Sequence, residues 1–390
     1  MQRSALMRLV VCCFIVICGL SILPATVSAN GTLIDVCPPV GIQQRTPDFH
    51  PGGIILTTFD NSDIWVYNVD RDMRYPLPDT APCGTNCHIS YDFRWISYLN
   101  TEERAFGKMR LDGTQRTFLT RDANDVSWWA EDTLLVWTSA HEAYLRTENS
   151  EEREILNVQG VVNIQPGGYW GLRIEHQDEE FIRVLVNTKT QDLAWVTGQR
   201  IVLGNDVRYF NAASWSPDGQ MMAFTAPHTY DSNAGITGAE LFTIAPGDDQ
   251  PIQWTDFNSV YGAVRINGHA TGELSWSPDS SHLAFWVMEM IGPDPESNAG
   301  NAVIHILDTN SGNINVYCGF ATTENTPNPP SLVWSPDGSH LVFGGNVPGD
   351  DKGYLLLALD IGEGTFTELS DGIFPALGNP GVIAWGLPPQ

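Results

Sequence analysis

Residues able to do chemistry gather late in the chain, between hydrophobic runs. Pro227-His228-Thr229-Tyr230-Asp231-Ser232-Asn233 brings a histidine, a tyrosine and a carboxylate close together. Arg208, Tyr209, Asp256, Tyr261, Arg265 and His269 precede later runs, and Glu289, Asp350 and Asp351 follow others. Aromatic rings, guanidinium groups and carboxylates in combination suit a peptide or a polar, sugar-like ligand. Binding without catalysis is therefore the first reading, with no catalytic residue, metal ligand or cofactor assigned. The alternative is an enzyme, a polysaccharide lyase or hydrolase, using His228 or His269 for proton transfer with Asp231 and Arg265.

The familiar catalytic signatures are missing. There is no Gly-x-Ser-x-Gly elbow, and His141-Glu142 has no second histidine four residues on from His141. No glycine-rich phosphate loop opens a helix. Asn68-x-Asp70-x-Asp72 begins like a calcium loop but lacks the glycine and the distal glutamate, so it reads as a solvated turn.

What must position these residues is a repeat. Ala213-Ser214-Trp215-Ser216-Pro217-Asp218-Gly219 returns as Leu274-Ser275-Trp276-Ser277-Pro278-Asp279-Ser280 and again as Leu332-Val333-Trp334-Ser335-Pro336-Asp337-Gly338, at intervals of 61 and 58 residues. Pro is preset for the second position of a turn, Asp suits the third, and Gly takes the left-handed conformation that re-enters a strand. Alternating apolar residues on both sides make the motif a β-hairpin, with Asp218 a turn residue and no catalyst. Ser280 replaces the glycine, which predicts a strained or differently shaped turn there. His282 and His340 occupy one repeat position, which favours packing over ligation.

Weaker copies occur earlier. Aligned on the turn, they fall at 51, 91, 130 and 166, ahead of 217, 278 and 336. In the first, Phe49 stands where Trp215 stands. A four-stranded unit needs about 40 residues, so the early units are minimal and the last three carry insertions. Val382-Ile383-Ala384-Trp385 is expected to seal a ring against an N-terminal segment. The fold expected is all-β: a β-propeller of seven four-stranded blades, with six or eight as alternatives, spanning 30–390 as one domain. Trp215, Trp276, Trp334 and Trp385 would then fill the wedges between sheets.

The Trp-Ser-Pro-Asp-Gly hairpins resemble the WD40-like (PD40) repeats of TolB-type β-propellers, clearly in blades five to seven and faintly in three and four. The resemblance implies a ring with a central channel and loops at each face, in a group that includes periplasmic and secreted binding proteins and the propeller halves of prolyl oligopeptidase-like peptidases. Loops leaving strand two share a face with loops leading into strand one. The insertions of blades five to seven lie there, which makes that face the expected recognition surface.

Composition narrows the partner. Arg3 and Arg8 precede the apolar run Leu9–Leu23, and Val27-Ser28-Ala29 reads as a cleavage signal, so 1–29 is expected to be a secretory signal peptide. The run is short for a spanning helix. Net charge is −26 and deepens to −28 once the two leader arginines are removed, which excludes nucleic acid as a partner. A secreted, extracellular or periplasmic monomer that meets an envelope protein, peptide or glycan is the expectation. Cys37, Cys83, Cys87 and Cys318 remain after the leader, an even number suited to an oxidising compartment. Cys83 and Cys87 can close a small loop, leaving Cys37 for Cys318, though four cysteines allow three pairings.

Overall fold

The computed structural model describes residues 33, 41–58, 63–83, 86–177, 180–194, 201–204, 210, 212–227, 238–267, 274–290, 299–322, 329–346, 354–370 and 381–389. They form seven small sheets, each a blade of a β-propeller, which bears out the expected class and count. Blade five shows the plan. Ala213–Trp215 is innermost, followed outward by antiparallel Met222–Pro227, Ala239–Ile244 and Ile252–Gln253.

The Ser-Pro-Asp-Gly turns close as their residue types demand. The Gly219 N–H donates to Ser216 O at 2.8 Å, with Gly219 at φ 69°. The Ser216 hydroxyl donates to Asp218 Oδ1 at 2.6 Å and accepts the Met221 N–H at 3.0 Å. Asp279 and Asp337 repeat this role. Burial raises their carboxyl pKa, but hydrogen bonds from the neighbouring serines outweigh it and hold both below the ordinary range. The blade-six turn keeps the same shape despite its serine. Ser280 sits at φ 62° and its N–H donates to Ser277 O at 2.9 Å. Its hydroxyl also accepts the Asp218 N–H of blade five at 3.1 Å, partial compensation for the left-handed backbone.

Blade one corrects one expectation. Residues 46–49 form no strand, and Phe49 does not stand on an innermost strand. Gly381–Gly386 supplies that strand instead, pairing antiparallel with Ile54–Thr58. Trp385, not Phe49, is therefore the equivalent of Trp215, and its indole N–H donates to Gly52 O at 2.9 Å. The seam has a second clasp: Ile42–Gln44 adds a parallel fifth strand to the outer edge of blade seven, beside Thr365–Glu368.

The tryptophans pack between blades as expected. Trp215, Trp276, Trp334 and Trp385 are all buried. Between blades five and six, Ser214 Oγ donates to Leu274 O at 2.6 Å and Trp276 Nε1 donates back to Ser214 O at 3.2 Å. Between six and seven, Ser275 Oγ donates to Leu332 O at 2.7 Å and Trp334 Nε1 to Ser275 O at 2.9 Å. His282 and His340 lie against Trp334 and Trp385, with ring centroids 6.3 and 6.2 Å apart. Cys83 and Cys87 form the expected disulfide. Cys318 is disulfide-bonded as well, and Cys37 lies outside the described residues. No described helix is long and apolar enough to cross a membrane.

Candidate functional site

Arg208, Tyr209, His228, Tyr230, Asp231, His269, Asp350 and Asp351 lie outside the described residues. Asp256, Tyr261, Arg265 and Glu289 can be placed. Asp256 precedes the short helix Phe257–Tyr261 but does not cap it with its side chain. Buried Glu240 takes that part, accepting the N–H groups of Phe257 at 2.8 Å and Asn258 at 2.9 Å, and the Thr255 hydroxyl at 2.5 Å. A carboxylate at a helix N-terminus is well placed for those unpaired donors.

Tyr261 ends the same helix against His305, 3.2 Å from its Nε2. His305 Nδ1 lies 3.0 Å from Val303 O, which only accepts, so Nδ1 carries the proton and Nε2 accepts from the tyrosine hydroxyl. Burial among Phe257, Phe285 and Tyr261 pushes the His305 pKa down to about 4, against the opposing pull of the Val303 carbonyl. Arg265, 3% exposed, lies in the added strand Val264–Ile266 of blade six. Glu289 accepts the Leu33 N–H at 2.6 Å, and both the N–H and the side-chain amide of Asn301 at 3.0 Å. Three of the four placed residues, Tyr261, Arg265 and Glu289, are thus built into the framework of blade six or its approach.

The channel itself offers a different site. Strand registers place His88, Ser127, Asn163, Ser214, Ser275, Val333 and Ala384 at one equivalent position, facing one another round the ring. In blades five and six the serine here ties one blade to the next. Asn163 attempts the same, its amide reaching Ala213 O only at 3.5 Å. The tie made by this carboxamide is thus longer than the 2.6 and 2.7 Å ties made by the serines. Trp215, on the neighbouring strand of blade five, has no acceptor for its buried indole N–H.

Between blades three and four the tie is absent. Among the described residues the Ser127 hydroxyl has no hydrogen-bond partner, and a cavity of about 620 Å³ opens beside it. Below, Trp129 closes the gap, its Nε1 donating to Gly168 O at 2.8 Å while its carbonyl accepts the Gly167 N–H at 2.6 Å. Above, exposed Asn124, Ala140 and Val162 form a rim on the face where strand two ends and strand one begins. The cavity shares His88, Ser127, Trp128 and Asn163 with the central channel and so continues into it.

A histidine–carboxylate contact joins blades two and three across it. His88 Nε2 lies 3.0 Å from both Asp125 carboxylate oxygens, and Asp125 Oδ1 also accepts the Val126 N–H at 2.8 Å. Half-buried Trp137 forms part of the wall, and neither its indole N–H nor the Asn124 amide side chain is hydrogen-bonded within the protein. Asn124, Asp125, Ser127, Asn163, Trp137 and His88 are the residues that sequence reasoning passed over. The readable signal was the position before the repeat tryptophan, serine in blades five and six but histidine and asparagine in two and four. Among the described residues no group of three or more His, Cys, Asp or Glu side chains could hold a metal ion.

No family model and no curated protein matches the chain. Several solved structures are similar to it. TolB from Acinetobacter baumannii is 14% identical over 85% of this chain and 82% of that one, with a TM-score of 0.39. An oligogalacturonate lyase from Vibrio parahaemolyticus is 12% identical over 84% and 88%, with a TM-score of 0.48. The nidogen/laminin complex contributes a chain 13% identical over 86% and 99%, with a TM-score of 0.42. These are likenesses of fold and carry no functional argument.

Proposed function

We propose that this propeller is an exported binding module for a protein, peptide or glycan, non-enzymatic, which works through the face where strand two ends and strand one begins. The observation that supports it is the cavity of about 620 Å³ opening on that face, walled by amides, hydroxyls and indoles, a size and chemistry suited to holding a ligand. The insertions of blades five to seven, with Arg208, Tyr209, His228, Tyr230, Asp231, His269, Asp350 and Asp351, extend the same recognition face in this reading. The Cys83–Cys87 disulfide fits an oxidising compartment, the envelope or the exterior. Against the lyase or hydrolase alternative, Arg265 is 3% exposed within a sheet, poorly placed to meet a substrate.

The test is a pull-down with the mature chain against extract of its own envelope, repeated with loops 228–237 and 290–300 shortened together. A partner captured by the parent and lost on shortening supports the assignment of blades five to seven. Capture that survives shortening removes those loops from the interface. Turnover of a polysaccharide by the purified chain would overturn the non-enzymatic reading.

A further inference from the structure

We infer that the cavity between blades three and four is a saccharide site selective for uncharged sugars, an assignment that rests on the binding-module reading and narrows it. Equivalent side chains are used differently round the ring. Ser214 and Ser275 are consumed in ties between blades, at 2.6 and 2.7 Å. The Ser127 hydroxyl, at the same position, has no partner among the described residues, and Ser127 lines the cavity. Asn124 presents an amide at the rim, and Asn163 Oδ1 keeps its acceptor capacity while its amide makes only the long contact with Ala213. Polar groups left without partners favour a ligand that supplies them, and a sugar hydroxyl both donates and accepts.

The remaining wall fits the other half of a sugar. Trp137 offers an indole ring whose apolar face suits the C–H face of a pyranose and whose N–H is free to donate. Asp125 is held by His88 at 3.0 Å to each oxygen, which fixes it as an acceptor for paired hydroxyls.

Charge selects among sugars. Among the described residues no lysine or arginine lines the cavity, Asp125 stands in it, and the chain carries a net charge of −26. A uronate or a sugar phosphate would meet repulsion from that net charge, with no lysine or arginine to answer it and His88 Nε2 already engaged by Asp125. An uncharged pyranose oligomer meets none.

Calorimetry on the full chain tests this, with cellotetraose, maltotetraose, mannotetraose and chitotetraose as neutral probes, trigalacturonate as the acidic probe and tetraalanine as a peptide probe. At least one neutral tetrasaccharide is expected to bind, at least about tenfold more tightly than trigalacturonate or tetraalanine. Asn124→Ala, at an exposed site, and Trp137→Ala should each weaken that binding about tenfold, with Trp137→Phe restoring most of it. Binding of trigalacturonate or tetraalanine in preference, no binding of any neutral probe, or affinities unchanged in both alanine variants would overturn the assignment. If sugar binding survives those variants but disappears on shortening 228–237 and 290–300, the site is wrong and the binding module stands. If no probe binds and the pull-down is empty, both fall.

Discussion

Replacing each innermost-strand tryptophan by phenylalanine separates the indole N–H from the ring. The ring-volume change is common to all four sites, since Trp215, Trp276, Trp334 and Trp385 are all buried. Three of them donate, to Ser214 O at 3.2 Å, Ser275 O at 2.9 Å and Gly52 O at 2.9 Å. Losing such a bond costs about 1 kcal/mol, whereas removing a buried donor with no partner returns roughly 1–3 kcal/mol. Trp215 is the site of the second kind. Trp215→Phe should therefore end about 2–4 kcal/mol more stable than the mean of the other three variants. With an unfolding entropy of about 2.1 cal/mol/K per residue over roughly 350 residues, that difference is about 3–6 °C in Tm. Scanning calorimetry on the mature variants in one buffer measures it, with urea midpoints as a check where melting is irreversible. If the four variants fall within about 1 °C of one another, or Trp215→Phe is the least stable, the reasoning that the Trp215 indole N–H is buried at a cost is refuted.

Three further expectations follow from buried or strained groups. His305 is pushed down to about 4 in the folded chain, below its unfolded value of about 6.5, so the unfolded state binds the extra proton and stability falls as pH drops from about 6.5 to 4, by roughly 3 kcal/mol in all. His305→Gln should flatten Tm against pH across that window, and an unchanged slope would show that other groups carry it. Ser280→Gly should be about 1 kcal/mol more stable than Ser280→Ala by urea denaturation, because both lose the bond from Asp218 but only glycine relieves the left-handed backbone. Arg183 is buried, donates to Thr225 O, and leaves Nε and Nη2 without hydrogen-bond partners. Arg183→Met should raise stability by about 1–3 kcal/mol in the same assay, and a loss would show that the guanidinium has a structural use.

Local turn chemistry made the architecture legible. Pro217-Asp218-Gly219 and its copies specify hairpins wherever they occur, so even eroded copies such as Asn163–Trp170 could be counted. Blade one misled for the same reason. Thr46-Pro47-Asp48-Phe49 has the look of the motif, but the innermost place is taken by Gly381–Gly386, the closing strand expected from Val382–Trp385, and nothing local to Phe49 shows that its place is filled. Ser280 shows that a turn can be kept by its neighbours when its own residue disfavours it. The cavity was hidden more deeply. Ser127, Ser214 and Ser275 are the same residue at the same repeat position, and nothing in the residue itself tells which one is tied to the next blade. Long insertions drew attention to blades five to seven, whereas the described opening lies among the shortest blades.

The two clasps at the seam also bear on how the molecule is made. Gly381–Gly386 completes the first blade, and Ile42–Gln44 edges the last. Until residue 386 has emerged, the sheet begun at Ile54–Thr58 lacks its inner neighbour, and blade seven has no closed flank to rest against. Synthesis from the N-terminus therefore leaves the ring an open arc until the strand Gly381–Gly386 has been made, long after its partner Ile54–Thr58.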